Sequence, residues 1–180
     1  TRDCLRAVRD QANRLDMDFF VVGAMVRILV LDRYYNIPTG LETRDVDIGI
    51  AVSDWAHYET IRQSLISTGA FAEDKNIYHR LWSNNFPVDL IPFGAVETPA
   101  GIIQWPPDQT IEMNVTGFQD ALETATPVRL SDDLDVHFVS LPAMAVLKLI
   151  AWHDRHHEFP TKDAIDIAVL LKNYLNAGND

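Results

Sequence analysis

Arg44-Asp45-Val46-Asp47-Ile48-Gly49-Ile50-Ala51-Val52 is the stretch on which the fold turns. Val46, Ile48, Ile50 and Val52 alternate strictly with Asp45, Asp47, Gly49 and Ala51. A period of two predicts a strand with one apolar face in the core. Alternate strand residues face the same way, roughly 6.6 Å apart along the backbone, so Asp45 and Asp47 point at one spot. Two carboxylates so placed repel, and each prefers a cation. Mg²⁺ suits them, because it favours hard oxygen ligands while keeping several waters. A D-x-D pair alone is more often a solvated strand face or a turn than a metal site, so its meaning depends on what surrounds it.

Upstream, Leu5, Val8, Ala12 and Leu15 recur at helical spacing. Phe19-Phe20-Val21-Val22 reads as a buried strand closed by a tight turn at Gly23, and residues 24–35 read as a helix before the Pro38 and Gly40 loop. Downstream, Asp54 starts a helix carrying Trp55, Tyr58, Ile61 and Leu65 towards Gly69. Residues 77–82 and 86–93 form a predicted hairpin turning at Ser83-Asn84-Asn85. Asp89 lies inside the second strand, between Val88 and Leu90; an acid in an apolar strand wants a partner. Pairing with the Asp45-Asp47 strand would unite the three acids. The region of Trp105-Pro106-Pro107 reads as irregular, and residues 128–130 and 136–139 as short strands. Pro142 fits the first turn of a helix to about His157, Pro160 breaks it, and Thr161 caps a last helix through Tyr174. The expected architecture is α/β (α+β): residues 1–140 form a mixed sheet with flanking helices, and residues 141–180 a helical segment packed on it in one compact domain.

The 180 residues are 47% hydrophobic, enough to bury a core, and no run approaches the length of a membrane span. The single cysteine, Cys4, excludes an internal disulfide framework and points to a reducing, cytoplasmic setting. The opening residues do not read as a signal peptide. A net charge of −11 disfavours nonspecific capture of nucleic acid.

An apolar strand, a glycine turn, a helix, D-x-D on a strand and a later strand aspartate together resemble the polymerase-β-type nucleotidyltransferase superfamily. The segments that carry the likeness are Phe20-Val21-Val22-Gly23, Asp45-Val46-Asp47-Ile48 and Val88-Asp89-Leu90. Within it the chain is most similar to bacterial stand-alone enzymes of the abortive-infection toxin (AbiEii) type. The order Lys148, Arg155 and Lys162-Asp163-Ala164-Ile165-Asp166 matches that group's C-terminal pattern.

The resemblance implies transfer of a nucleoside monophosphate from a nucleoside triphosphate to a hydroxyl, with release of pyrophosphate. Asp45, Asp47 and Asp89 would be the catalytic metal ligands, for two Mg²⁺ ions or Mn²⁺ in their place. Gly23 and Ala24 would adjoin the triphosphate, with Arg27, Arg44 and Lys148 as phosphate contacts. For Arg27 and Arg44 a structural ion pair with Asp45 or Asp47 is the competing role, and for Lys148 it is snorkelling to solvent. Asp163 and Asp166 read equally as a helix N-terminal charge effect or a site-facing pair. The family usually has Gly or Ser where this chain has Ala24, which lacks a hydroxyl, so a catalytically weakened nucleotide- or metal-binding module is the alternative. The acceptor stays open among an RNA 3′ end, a protein and a small molecule, and an antitoxin-like protein is an implied partner. His153, His156 and His157 read as a solvated helix end, not a zinc site. Trp82, Trp105 and Trp152 read as packing residues before base-stacking ones.

Overall fold

The computed structural model describes residues 2–40 and 43–178. Helix α1 (Arg2–Arg14) turns Leu5, Val8 and Ala12 inward. Strand β1 (Phe19–Val22) runs through Gly23 into α2 (Ala24–Arg27), which widens into a π-helical stretch, Ile28–Tyr34. Then come β2 (Val46–Val52), α3 (Trp55–Ser67), the short β3 (Ala72–Glu73), β4 (Arg80–Ser83) and β5 (Phe86–Gly94). A small hairpin of β6 (Ile102–Gln104) and β7 (Glu112–Asn114) precedes α4 (Phe118–Glu123). The chain continues through β8 (Thr126–Ser131), β9 (Leu134–Phe138), α5 (Leu141–Arg155) and α6 (Lys162–Asn173).

The main sheet has the order β3-β4-β5-β2-β1-β9-β8. It is mixed: β2 lies antiparallel to β1 and parallel to β5, and β1 lies parallel to β9. The expected α/β class and mixed sheet are therefore present. On one sheet face Val46, Ile48 and Ile50 are fully buried; α3 packs on their strand, and α1 packs beside α3 and on β9. The Tyr58 hydroxyl of α3 donates to the Leu90 carbonyl at 3.0 Å, tying that helix to β5. On the other face Phe20, Phe93 and Phe118 meet edge-on or tilted, with ring centres 5.8–5.9 Å apart. Gly49 makes room for this cluster, since a Cβ there would lie 2.5 Å from the Phe20 ring.

The local signals act as the sequence suggests at most ends. Asp54 accepts from the His57 N–H at 2.7 Å, and Ser140 caps α5 with Pro142 in its first turn. Asn84 and Asn85 both adopt positive φ, the requirement of a tight two-residue hairpin. Thr161 departs from expectation: it occupies the N-cap of α6, but its side chain makes no capping hydrogen bond. Trp105-Pro106-Pro107 lies in the loop between β6 and β7, irregular as expected, while that hairpin and helix α4 are elements the sequence reading did not include.

Candidate active site

The sheet register builds the site. Asp47 on β2 lies beside Asp89 on parallel β5 and opposite Val22, the last residue of β1. Asp45 stands just before β2, where Thr43 donates to its carboxylate at 2.5 Å. Each of the three acids offers an oxygen within 4.8 Å of the others, and among the described residues they are the one such group of three. Gly23, with φ +78°, is the floor beneath them: a Cβ there would lie 1.9 Å from an Asp47 oxygen. Only glycine accommodates both the backbone angle and the carboxylate. Enclosure of the Asp47 carboxyl, then the charges of Asp45 and Asp89, push its pKa up to about 7.

Opposing this cluster is a cationic wall from the C-terminal helices. Lys148 of α5 and Lys162 of α6 act on Asp47 in the opposite direction to the acids. Both line a cleft of about 660 Å³ that also contains Gly23, Ala24, Arg44, the three acids, Arg80 and Arg155. Lys148 is held there by two buried acids: its Nζ lies 3.0 Å from Asp163 and 2.6 Å from Asp166. Arg155 grips Asp163 through Nε and Nη2 at 2.7 and 2.8 Å. Burial pushes the Asp163 carboxyl up, but Arg155 and Lys148 outweigh it and hold the group below the usual range. For Lys148 burial wins over Asp163, and its pKa is lowered.

The profile of the AbiEii nucleotidyl transferase toxin of type IV toxin–antitoxin systems matches residues 42–179. The chain belongs to the AbiEii nucleotidyltransferase family. Comparison with curated proteins gives no match. Among solved structures, the solution structure of the antibiotic-resistance factor ANT(2'')-Ia shares 12% identity at TM-score 0.53, covering 98% of this chain and 86% of that one. A crystal structure of ANT(2'')-Ia with adenylyl-2''-tobramycin shares 12% identity at TM-score 0.52, covering 99% and 96%. The lincomycin-bound lincosamide adenylyltransferase LnuA shares 18% identity at TM-score 0.49, covering 94% and 96%. The ANT(2'')-Ia likeness establishes a shared nucleotidyltransferase fold.

Within the AbiEii chain, Asp45, Asp47, Asp89, Gly23, Ala24, Arg44 and Lys148 all line one cleft. Arg27 does not join them. It is buried, its guanidinium pairs with Asp166, and its Nε has no hydrogen-bond partner among the described residues. The ion-pair role weighed for Arg27 is met by Asp166 in place of Asp45 or Asp47, and its burial away from the cleft lining speaks against the phosphate role. Asp163 and Asp166 serve as anchors for the cations. Arg80 went unnoticed in sequence: it clamps Asp89, with Nε to Oδ1 and Nη2 to Oδ2 both at 2.7 Å. Trp105 is buried against Tyr58, Tyr78, Trp55 and His79, which makes it a packing residue at the cleft wall. Trp82 donates to Asp74, and Trp152 stacks on His156.

The acid cluster fits a divalent cation on its own chemistry. Three hard oxygen donors crowd one point, and enclosure followed by the neighbouring acids raises the Asp47 pKa, a penalty on its charged form that bound positive charge relieves.

Proposed function

We propose that this AbiEii protein is a metal-dependent nucleotidyltransferase that moves a nucleoside monophosphate from a triphosphate to a hydroxyl. The observation that carries the reading is the convergence of Asp45, Asp47 and Asp89 to within 4.8 Å, facing Lys148 and Lys162 across one cleft. Asp45, Asp47 and Asp89 would hold Mg²⁺ or Mn²⁺, which supplies charge neutralisation at the attacking and leaving oxygens. The chain's own residues do the rest. Lys148, Lys162 and Arg44 draw the triphosphate against the acids, and Gly23 leaves its backbone open to the phosphates. Asp89 lies beside the acceptor and takes its hydroxyl proton. The acceptor oxygen bonds the α-phosphorus, the bond to the bridging oxygen breaks, and pyrophosphate leaves with the electron pair.

The AbiEii description supports a toxin or phage-defence role opposed by an antitoxin, and use of a nucleoside triphosphate supports a cytoplasmic setting. The ANT(2'')-Ia crystal structure holds adenylyl-2''-tobramycin, which supports testing small-molecule alcohols beside RNA 3′ ends and proteins as acceptors. Ala24, which brings no hydroxyl to the cleft, favours a second reading as a weakened binding module.

The deciding experiment supplies each α-labelled triphosphate with Mg²⁺ and the three acceptor classes. Cation-dependent label transfer, reduced about a hundredfold or more by D47N and by D89N, is the expected result. Transfer that survives both substitutions sinks the reading. A triphosphate-induced rise in melting temperature without transfer to any acceptor would select the weakened module.

A further inference from the structure

We propose that Arg80 is a positioning residue for this transfer, fixing how Asp89 presents its carboxylate to the acid cluster. The inference rests on the nucleotidyltransferase reading above. It begins in the backbone: Arg80 on β4 is the register partner of Asp89 on β5, and Asp89 is the register partner of Asp47 on β2. Three strands therefore align Arg80, Asp89 and Asp47 in one row.

The contact is a fork on a fork, both N–O distances being 2.7 Å, with the side chains only 24% and 10% exposed. The edge of the sheet steadies it. The Arg80 carbonyl accepts from the Asp74 N–H at 3.1 Å, and the Asp74 carboxylate accepts from Trp82 at 2.7 Å. Both Asp89 oxygens are thus already engaged. A carboxylate offers about four lone-pair sites, so Asp89 still has acceptor capacity towards Asp45 and Asp47. With its plane pinned, however, it offers a cation one oxygen and is kept from swinging round to chelate with both. A simple counter-ion would need only charge. The fork needs the planar, two-pronged guanidinium, which lysine does not reproduce.

Charge and geometry then separate experimentally. Full-length wild type, R80M and R80K are titrated with Mn²⁺ alone by electron paramagnetic resonance, and turnover is read as pyrophosphate release from the nucleoside triphosphates in the presence of the three acceptor classes. Removing a cation beside a cation site tightens it, so R80M should bind Mn²⁺ about threefold or more tightly. Its turnover should nonetheless fall about tenfold or more, because a small misplacement near the reacting atoms is costly. R80K should bind Mn²⁺ within about twofold of wild type while recovering only part of the rate. If R80M does not fold, R80K carries the test through unchanged affinity with reduced rate. Full rate in R80K or R80M overturns the positioning role, as does weaker Mn²⁺ binding by folded R80M. A wild type that neither binds Mn²⁺ nor releases pyrophosphate overturns the nucleotidyltransferase reading itself. A wild type that does both, beside variants that match it, overturns the role of Arg80 alone.

Discussion

Asp47 gathers at one carboxylate the forces that define the site. Gly23 packs beneath it, Asp45 and Asp89 crowd it, and Lys148 and Lys162 answer from the C-terminal helices. Its pKa rises from 3.8 to about 7 on folding, so between those values the folded protein holds a proton that the unfolded chain has lost. The stability this group contributes is fully present below 3.8 and is lost as pH rises through about 7. A bound divalent cation reverses the penalty by favouring the ionised form. Mn²⁺ binding near pH 6 should therefore expel close to one proton, and near pH 8.5 close to none. Calorimetry in two buffers of different ionisation enthalpy reads this difference, and D47N should abolish it. Equal proton release at both pH values would show that Asp47 is not the group under pressure.

Elements bring those residues together, and their ties were unequally legible in the sequence. The strand from Val46 to Val52 and the Asn84-Asn85 hairpin were readable because period and turn chemistry are local. The Arg80–Asp89 clamp was readable in principle: a two-residue turn pairing Ser83 with Phe86 fixes Arg80 opposite Asp89. The parallel register of Asp47 with Asp89 was not, because a crossover leaves no local mark of its pairing. Strands β6 and β7 have three residues each and helix α4 six, too short for a period to declare itself. Arg27 was misread for a similar reason: its partner, Asp166, lies 139 residues away. That pair joins α2 to α6, and Asp166 also reaches Lys148 on α5, so one acid ties three helices. D166A strands a buried arginine and loosens the cleft lysine, and should cost about 3–5 kcal/mol. Urea denaturation measures it; a loss below about 1 kcal/mol would mean that solvent reaches Arg27 readily.

At the scale of the whole molecule, Arg44, Arg80, Lys148, Arg155 and Lys162 line one cleft in a chain of net charge −11. That grouping does not make a nucleic-acid groove. Arg80 is matched by Asp89, and Lys148 and Arg155 by Asp163. Arg44 and Lys162 are left as the cleft cations without an ion pair among the described residues. Affinity for a polyanion comes mostly from released counterions, at a slope of about −0.7 in log K against log salt for each single-strand phosphate neutralised. These two cations in an acidic surround therefore predict weak binding of mixed tRNA, with a slope of about −1.4. Mg²⁺ at the acids would add local attraction at the terminal nucleotide without lengthening the contact. A titration of the protein with mixed tRNA across a salt series, with and without Mg²⁺, tests this. Submicromolar binding with a slope of about −4 or steeper would require a basic face beyond the cleft, and would move the acceptor decisively towards RNA.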